Sequence, residues 1–144
     1  VRFPVTPDSR TAYSPVMGNR PIHPDGIAPP AANYAHAVLS EAPEKILHTA
    51  GVVPTLQDGS VPESLDEQAS AVWDNVLAIL RSASMGPAHV VSVTTYATPG
   101  HKLDTVMAAR DRALEGRLVA STLVVVQELA QPEWKVEVAV VAVS

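Results

Sequence analysis

Cysteine is absent from this 144-residue chain, which excludes a disulfide framework, a thiolate nucleophile and any cysteine-held zinc or iron–sulfur site. Aromatic residues are scarce, two Trp, three Tyr and one Phe, and ten basic residues face fifteen acidic ones, for a net charge of −5. A groove that tracks phosphates and stacks bases needs clustered cations and aromatic platforms, so nucleic acid is set aside as a main partner. No apolar run approaches the roughly 18 residues needed to cross a bilayer. Pro4, Pro7 and Asp8 stand where a secretory leader would carry its apolar core, so the sequence reads as cytoplasmic, with no membrane partner.

The residues that are present suit one globular domain, with 47% hydrophobic and 17% charged. Seven of the thirteen prolines fall between Pro4 and Pro30. Proline disfavours helix and removes ladder donors, so residues 1–19 read as a proline-rich arm and residues 20–144 as the single domain. A short edge strand is expected at Pro21–His23, then strands at Asn33–Leu39 and Lys45–Ala50, whose spacing suggests a hairpin.

Ser64 and Glu67 stand at capping-box spacing. Leu65, Ala69, Val72, Val76, Ile79 and Ala83 then recur every three or four residues, predicting a helix that Gly86 would close; Trp73 and Leu80 widen its core stripe. A strand follows at His89–Ala97, and Leu103, Val106, Arg110 and Leu114 trace a second helix to Gly116. The last two strands are Leu118–Leu129 and Lys135–Val143. The order is therefore β-β-β-α-β-α-β-β, an α+β sheet with two helices on one face. Its other face, rich in valine and alanine, needs a cover, for which a partner subunit is the simplest choice.

Within the final strand Glu137 interrupts a run otherwise apolar enough to be buried. A carboxylate held from water costs several kcal/mol unless it is hydrogen-bonded or paired, so Glu137 is either on an edge facing solvent or part of a site. It is the candidate catalytic residue, a general base for a water. Gly51 follows a predicted strand, where a missing side chain would let a ligand approach the main chain and an adjacent amide. Tyr34 offers a phenol, and Ser121 and Thr122 lack the turn that arms a nucleophile, which casts them as ligand contacts. His23, His36, His48, His89 and His101 show no metal-ligand spacing, so neither metal nor cofactor is expected. Of these only His48 is expected near Gly51.

Five fragments in order carry a resemblance: Asn33-Tyr-Ala-His-Ala-Val38, His48-Thr-Ala-Gly-Val-Val-Pro54, Glu67-Gln-Ala with Asp74-Asn-Val-Leu-Ala-Ile-Leu80, Val119-Ala-Ser-Thr-Leu-Val-Val-Val126, and Trp134-Lys-Val-Glu-Val-Ala-Val-Val-Ala-Val143. Together they resemble the Rid superfamily, also called YjgF/YER057c/UK114, over about residues 20–143. The resemblance implies a chorismate-mutase-like protomer and a homotrimer with a small-molecule cleft at each subunit interface. It also implies that Glu137 matches the carboxylate that orients water in the imine deaminases.

By the same matching, the arginine that fixes the substrate carboxylate in those deaminases falls on Ser121. The family's cysteine falls on Leu123, a glutamine on Val52 and an asparagine on Met107. Serine cannot reproduce arginine's bidentate fork, so a standard 2-imino acid deaminase is not expected. The site implied is Glu137 with Tyr34, Thr49, Ala50, Gly51, Met107, Ser121 and Thr122. Two readings from different classes follow: an enzyme acting on an imine, enamine or related carbonyl-derived metabolite, or a non-catalytic metabolite-binding or regulatory trimer. An endoribonuclease or translation inhibitor, as described for some relatives, ranks third.

Overall fold

The computed structural model describes residues 18–144, so most of the arm expected over residues 1–19 lies outside the described residues. Eight elements follow in the expected order: β1 (Arg20–Ile22), β2 (Ala37–Leu39), β3 (Ile46–His48), α1 (Leu65–Ser82), β4 (Val90–Ala97), α2 (Leu103–Ala113), β5 (Ala120–Val125) and β6 (Val136–Val143), with a 3-10 turn at Pro87–His89. The main sheet runs β3-β6-β4-β5, with β4 and β5 parallel and the other pairs antiparallel. Both helices pack on one side of it, an α+β fold.

Helix α1 begins as its sequence predicts. The Ser64 hydroxyl oxygen accepts the Glu67 N–H at 3.2 Å, and its own proton goes to the Glu67 carboxylate at 2.8 Å, so side chain and amide of one residue close the first turn. The buried stripe is Ala69, Val72, Trp73, Val76 and Leu80, and Trp73 is core. Burial of each large apolar side chain contributes about 1.5–3 kcal/mol relative to exposure.

The helix does not end at Gly86. Ala83 is the C-cap, Ser84 adopts φ 57°, and the Met85 N–H reaches back to the Leu80 carbonyl at 2.8 Å. A serine here takes the left-handed position that usually favours glycine, because the buried Met85 and Leu80 hold the return bond. Gly86 instead opens the next turn, its N–H donating to His89 Nδ1 at 3.0 Å. Helix α2 closes in the same manner, with Glu115 at φ 56° and the Gly116 N–H on the Asp111 carbonyl at 2.9 Å.

The expected hairpin between Asn33–Leu39 and Lys45–Ala50 does not form. β2 pairs with β1 in a separate two-stranded sheet, and β3 pairs with β6. The turn-prone connection redirects the chain: Ala42 takes φ 47° ahead of Pro43, and Lys45 then exchanges both backbone bonds with Ser144. The C-terminal strand, being longer and nearly all valine and alanine, offers β3 a better partner than three-residue β2.

Alternation along the strands gives the main sheet two unlike faces. Val93, Thr95, Val136, Val138 and Val140 are buried beneath the helices. Thr94, Tyr96, Glu137, Ala139 and Val141 point the other way and are half-buried, while Thr122 and Val124 on β5 are exposed. This second face is the one the sequence leaves without a cover.

Candidate functional site

Glu137 lies on that second face, directly opposite Tyr96 of β4. Beside it, β6 meets the chain leaving β3. The Thr49 N–H donates to the Val140 carbonyl while the Val140 N–H returns to the Thr49 hydroxyl, and Val52 exchanges both backbone bonds with Val138, yet two residues, Ala50 and Gly51, stand where β6 has only Ala139. This is a bulge, and it turns the Ala50 and Gly51 backbone out of the ladder. Among the described residues neither amide N–H has a hydrogen-bond partner, and both residues are exposed.

Gly51 has a reason to lack a side chain that the sequence alone does not give. A Cβ built there would lie 1.7 Å from Glu137 Oε1 and 2.6 Å from Cδ. The space read from sequence as room for a ligand is taken by the protein's own carboxylate. Glu137 is thereby seated over the bulge with two free amides alongside. The Thr49 hydroxyl oxygen accepts the Val140 N–H at 3.0 Å, which pins the strand just before the bulge.

A shallow cavity of about 630 Å³ flanks the same loop, between His48, Gly51, Thr55, Asn75 and Ile79. Asn75 braces it by donating to the Val53 and Thr55 carbonyls, each at 3.1 Å. His48 is therefore next to the bulge. Glu137 does not line this cavity.

The other candidates gather elsewhere. Ser121 pairs with Val93, so its side chain lies on the helix-covered face, whereas the adjacent Thr122 pairs with Thr94 and faces the other way. The two hydroxyls are thus separated by the sheet. Ser121 Oγ accepts a bond at 3.0 Å from Arg110 of α2. Arg110 also donates to the Asn33 carbonyl at 2.9 Å, fixing the chain immediately before Tyr34, and Met107 lies one helical turn earlier. The half-buried Tyr34 meets His36 edge to face at 6.3 Å between ring centroids. Two clusters result: Thr49, Ala50, Gly51 and Glu137 around the bulge, and Tyr34, Met107 and Ser121 around Arg110.

Arg110 was not singled out as a site residue from sequence. The available signal was its place on the apolar stripe of α2, where a charged side chain must find partners; it is only 5% exposed. Among the described residues no group of three or more His, Asp or Glu converges as a metal site would, and no helix is long and apolar enough to cross a membrane.

Comparison with known proteins agrees with this architecture. The family model for endoribonuclease L-PSP matches residues 26–144. Among solved structures, YyfB of Yersinia pestis, described as a protein of unknown function of the conserved Rid family, is 30% identical over 89% of this chain and 100% of its own, with a TM-score of 0.80. The YjgF gene product of E. coli is 26% identical over 87% of this chain and 93% of its own, TM-score 0.63. E. coli TdcF with bound serine is 22% identical over 88% and 94%, TM-score 0.65, a likeness of fold alone. Comparison with curated proteins found no match.

Proposed function

Since this chain belongs to the endoribonuclease L-PSP family, the Rid or YjgF group, we propose that it is a homotrimer whose interfacial clefts hydrolyse a small imine, enamine or related carbonyl-derived metabolite. The observation that carries this reading is the Glu137 carboxylate seated on Gly51 beside the Ala50 and Gly51 amides, which have no hydrogen-bond partner among the described residues.

The chemistry follows from that arrangement. Glu137 takes a proton from a water as the water oxygen bonds to the carbon of the protonated imine, C=NH2+, giving a neutral carbinolamine. Glu137 returns that proton to nitrogen, and as the C–N bond breaks the hydroxyl proton passes to solvent, releasing ammonia and leaving the carbonyl. The free amides are donors for the oxygen on which negative charge gathers as the carbinolamine collapses.

Support for association of copies is geometric. Glu137 and Ser121 lie on opposite faces of one sheet, so a single cleft holding both kinds of residue takes two copies. The face carrying half-buried Ala139 and Val141 and exposed Val124 supplies the apolar surface for such contact. With serine at 121 the bidentate arginine fork of the standard deaminases is missing, which disfavours a 2-imino acid docked in the usual way. RNA fits a chain of net charge −5 poorly.

The test is ammonia release from a panel of freshly generated imines, with and without a carboxylate, on protein sized in solution. Turnover that Glu137→Gln abolishes while the trimer persists supports the enzyme. Binding without turnover in wild type supports the second reading, a non-catalytic metabolite-binding trimer, which the apolar Val52, Met107 and Leu123 at positions polar in the deaminases favour. Unchanged turnover in Glu137→Gln removes its role as base.

A further inference from the structure

Arg110 is the one cation buried among the described residues, at 5% exposure, and the catalytic reading above makes no use of it. A guanidinium carries five N–H donors. Four are engaged here: Nε and one Nη2 proton on Asp111 Oδ1 at 3.0 and 2.8 Å, the second Nη2 proton on the Asn33 carbonyl at 2.9 Å, and one Nη1 proton on Ser121 Oγ at 3.0 Å. The fifth, on Nη1, has no acceptor among the described residues. Nor has the hydroxyl proton of Ser121, whose oxygen is the acceptor of the arginine bond. Two free donors therefore stand on atoms 3.0 Å apart, a spacing that both oxygens of one carboxylate can meet.

Charge points the same way. Burying a guanidinium is costly unless it is paired. The pairing here is a single oxygen of Asp111, on a side chain that remains 35% exposed. If Arg110 served only to tie Asn33 to α2 and β5, a neutral donor would do so without that cost.

The geometry points to Arg110 as the specificity-determining residue of the cleft: α2 delivers a guanidinium to the Ser121 hydroxyl, and the pair selects ligands that carry a carboxylate. The inference rests on the proposed cleft for its location. It replaces a two-pronged arginine grip with one N–H and one O–H, a weaker grip of the same sign. Met107, one turn before Arg110 and half-buried, provides an apolar flank for a short aliphatic chain.

The experiment is a calorimetric titration of the purified full-length protein with 2-oxobutanoate and, separately, with the uncharged 2-oxobutanamide. Wild type is expected to bind the acid about tenfold more tightly than the amide, the size of one charge-assisted hydrogen bond. Ser121→Ala and Arg110→Lys should each lower that ratio several-fold without loss of the folded trimer, and Arg110→Gln should bring it near one. Should Arg110→Gln fail to fold, the Ser121→Ala and Arg110→Lys ratios decide. Equal binding of acid and amide by wild type, binding of neither at millimolar concentration, or a ratio unmoved in both variants overturns the proposal. Glu137→Gln separates the two ideas, since it should keep the acid preference while losing turnover. A wild type that prefers the acid but hydrolyses no imine refutes the hydrolase and leaves the role of Arg110 standing.

Discussion

Replacing Gly51 by Ala tests the seat of Glu137 with one methyl group. The added Cβ would stand 1.7 Å from Oε1, 2.6 Å from Cδ and 3.0 Å from Cγ of Glu137, so the carboxylate has to leave. Gly51 is not among the glycines with positive φ, so the backbone itself accepts alanine. Loss of glycine's freedom in the unfolded chain stabilises the fold by about 0.4–1 kcal/mol. Forcing the Glu137 side chain into a poorer rotamer costs about 0.5–1.5 kcal/mol.

These terms nearly cancel, and the midpoint of thermal unfolding should move by no more than about 4 °C. Activity has no such compensation. If Glu137 is the base of the proposed hydrolase, displacing it by about 1 Å or more costs its aim at the water, and imine turnover should fall about a hundredfold. Circular dichroism melting and ammonia release measured on the same preparation make the comparison. Unchanged turnover with an unchanged melt would refute the idea that this seat aims the base. A collapse in stability would instead mark the contact as structural.

Gln68, almost fully buried, donates to the Pro62 and Glu133 carbonyls and accepts the Lys135 N–H, all at 2.8 Å. Gln68→Leu leaves those three backbone groups without partners and should destabilise by about 2–4 kcal/mol, read as a clear drop in the urea midpoint; a change below about 1 kcal/mol contradicts the assignment. Asp58 accepts from the Ser60 hydroxyl and amide, and the hydroxyl bond foremost holds its carboxyl below the ordinary 3.8. The depressed value means the turn is favoured above the unfolded carboxyl's titration and loses that support as pH falls through the folded one. Ser60→Ala should raise the Asp58 titration toward 3.8, followed by carboxyl carbon NMR.

Most of the fold was legible because its signals are local. The α1 stripe from Ala69 to Leu80 and the Ser64–Glu67 cap are set within single turns. Strands β4 and β6 read as strands from composition. Pairing was less legible. The choice of β3 for β6 rather than β2 is a contest between strands about a hundred residues apart in sequence, and no neighbouring residue announces the winner. The cap at Ser84 was missed for a related reason: a return bond to Leu80 anchored by buried Met85 overrode the usual preference for glycine.

The site divides along the same line. Glu137 stood out because a carboxylate in an apolar strand is costly, and Gly51 because glycine is permissive, but only coordinates join them as carboxylate and seat. Ser121 and Thr122 were grouped by adjacency, although alternation along a strand sends adjacent side chains to opposite faces. That rule has a consequence for assembly. A Glu on one face of the sheet and an Arg110–Ser121 pair beneath the helices on the other cannot grip one small ligand within a protomer. A ligand held by both must lie where the bulge of one copy meets the β5 edge of another. Catalysis would then require association, and dilution below the assembly threshold should abolish turnover before it unfolds the chain.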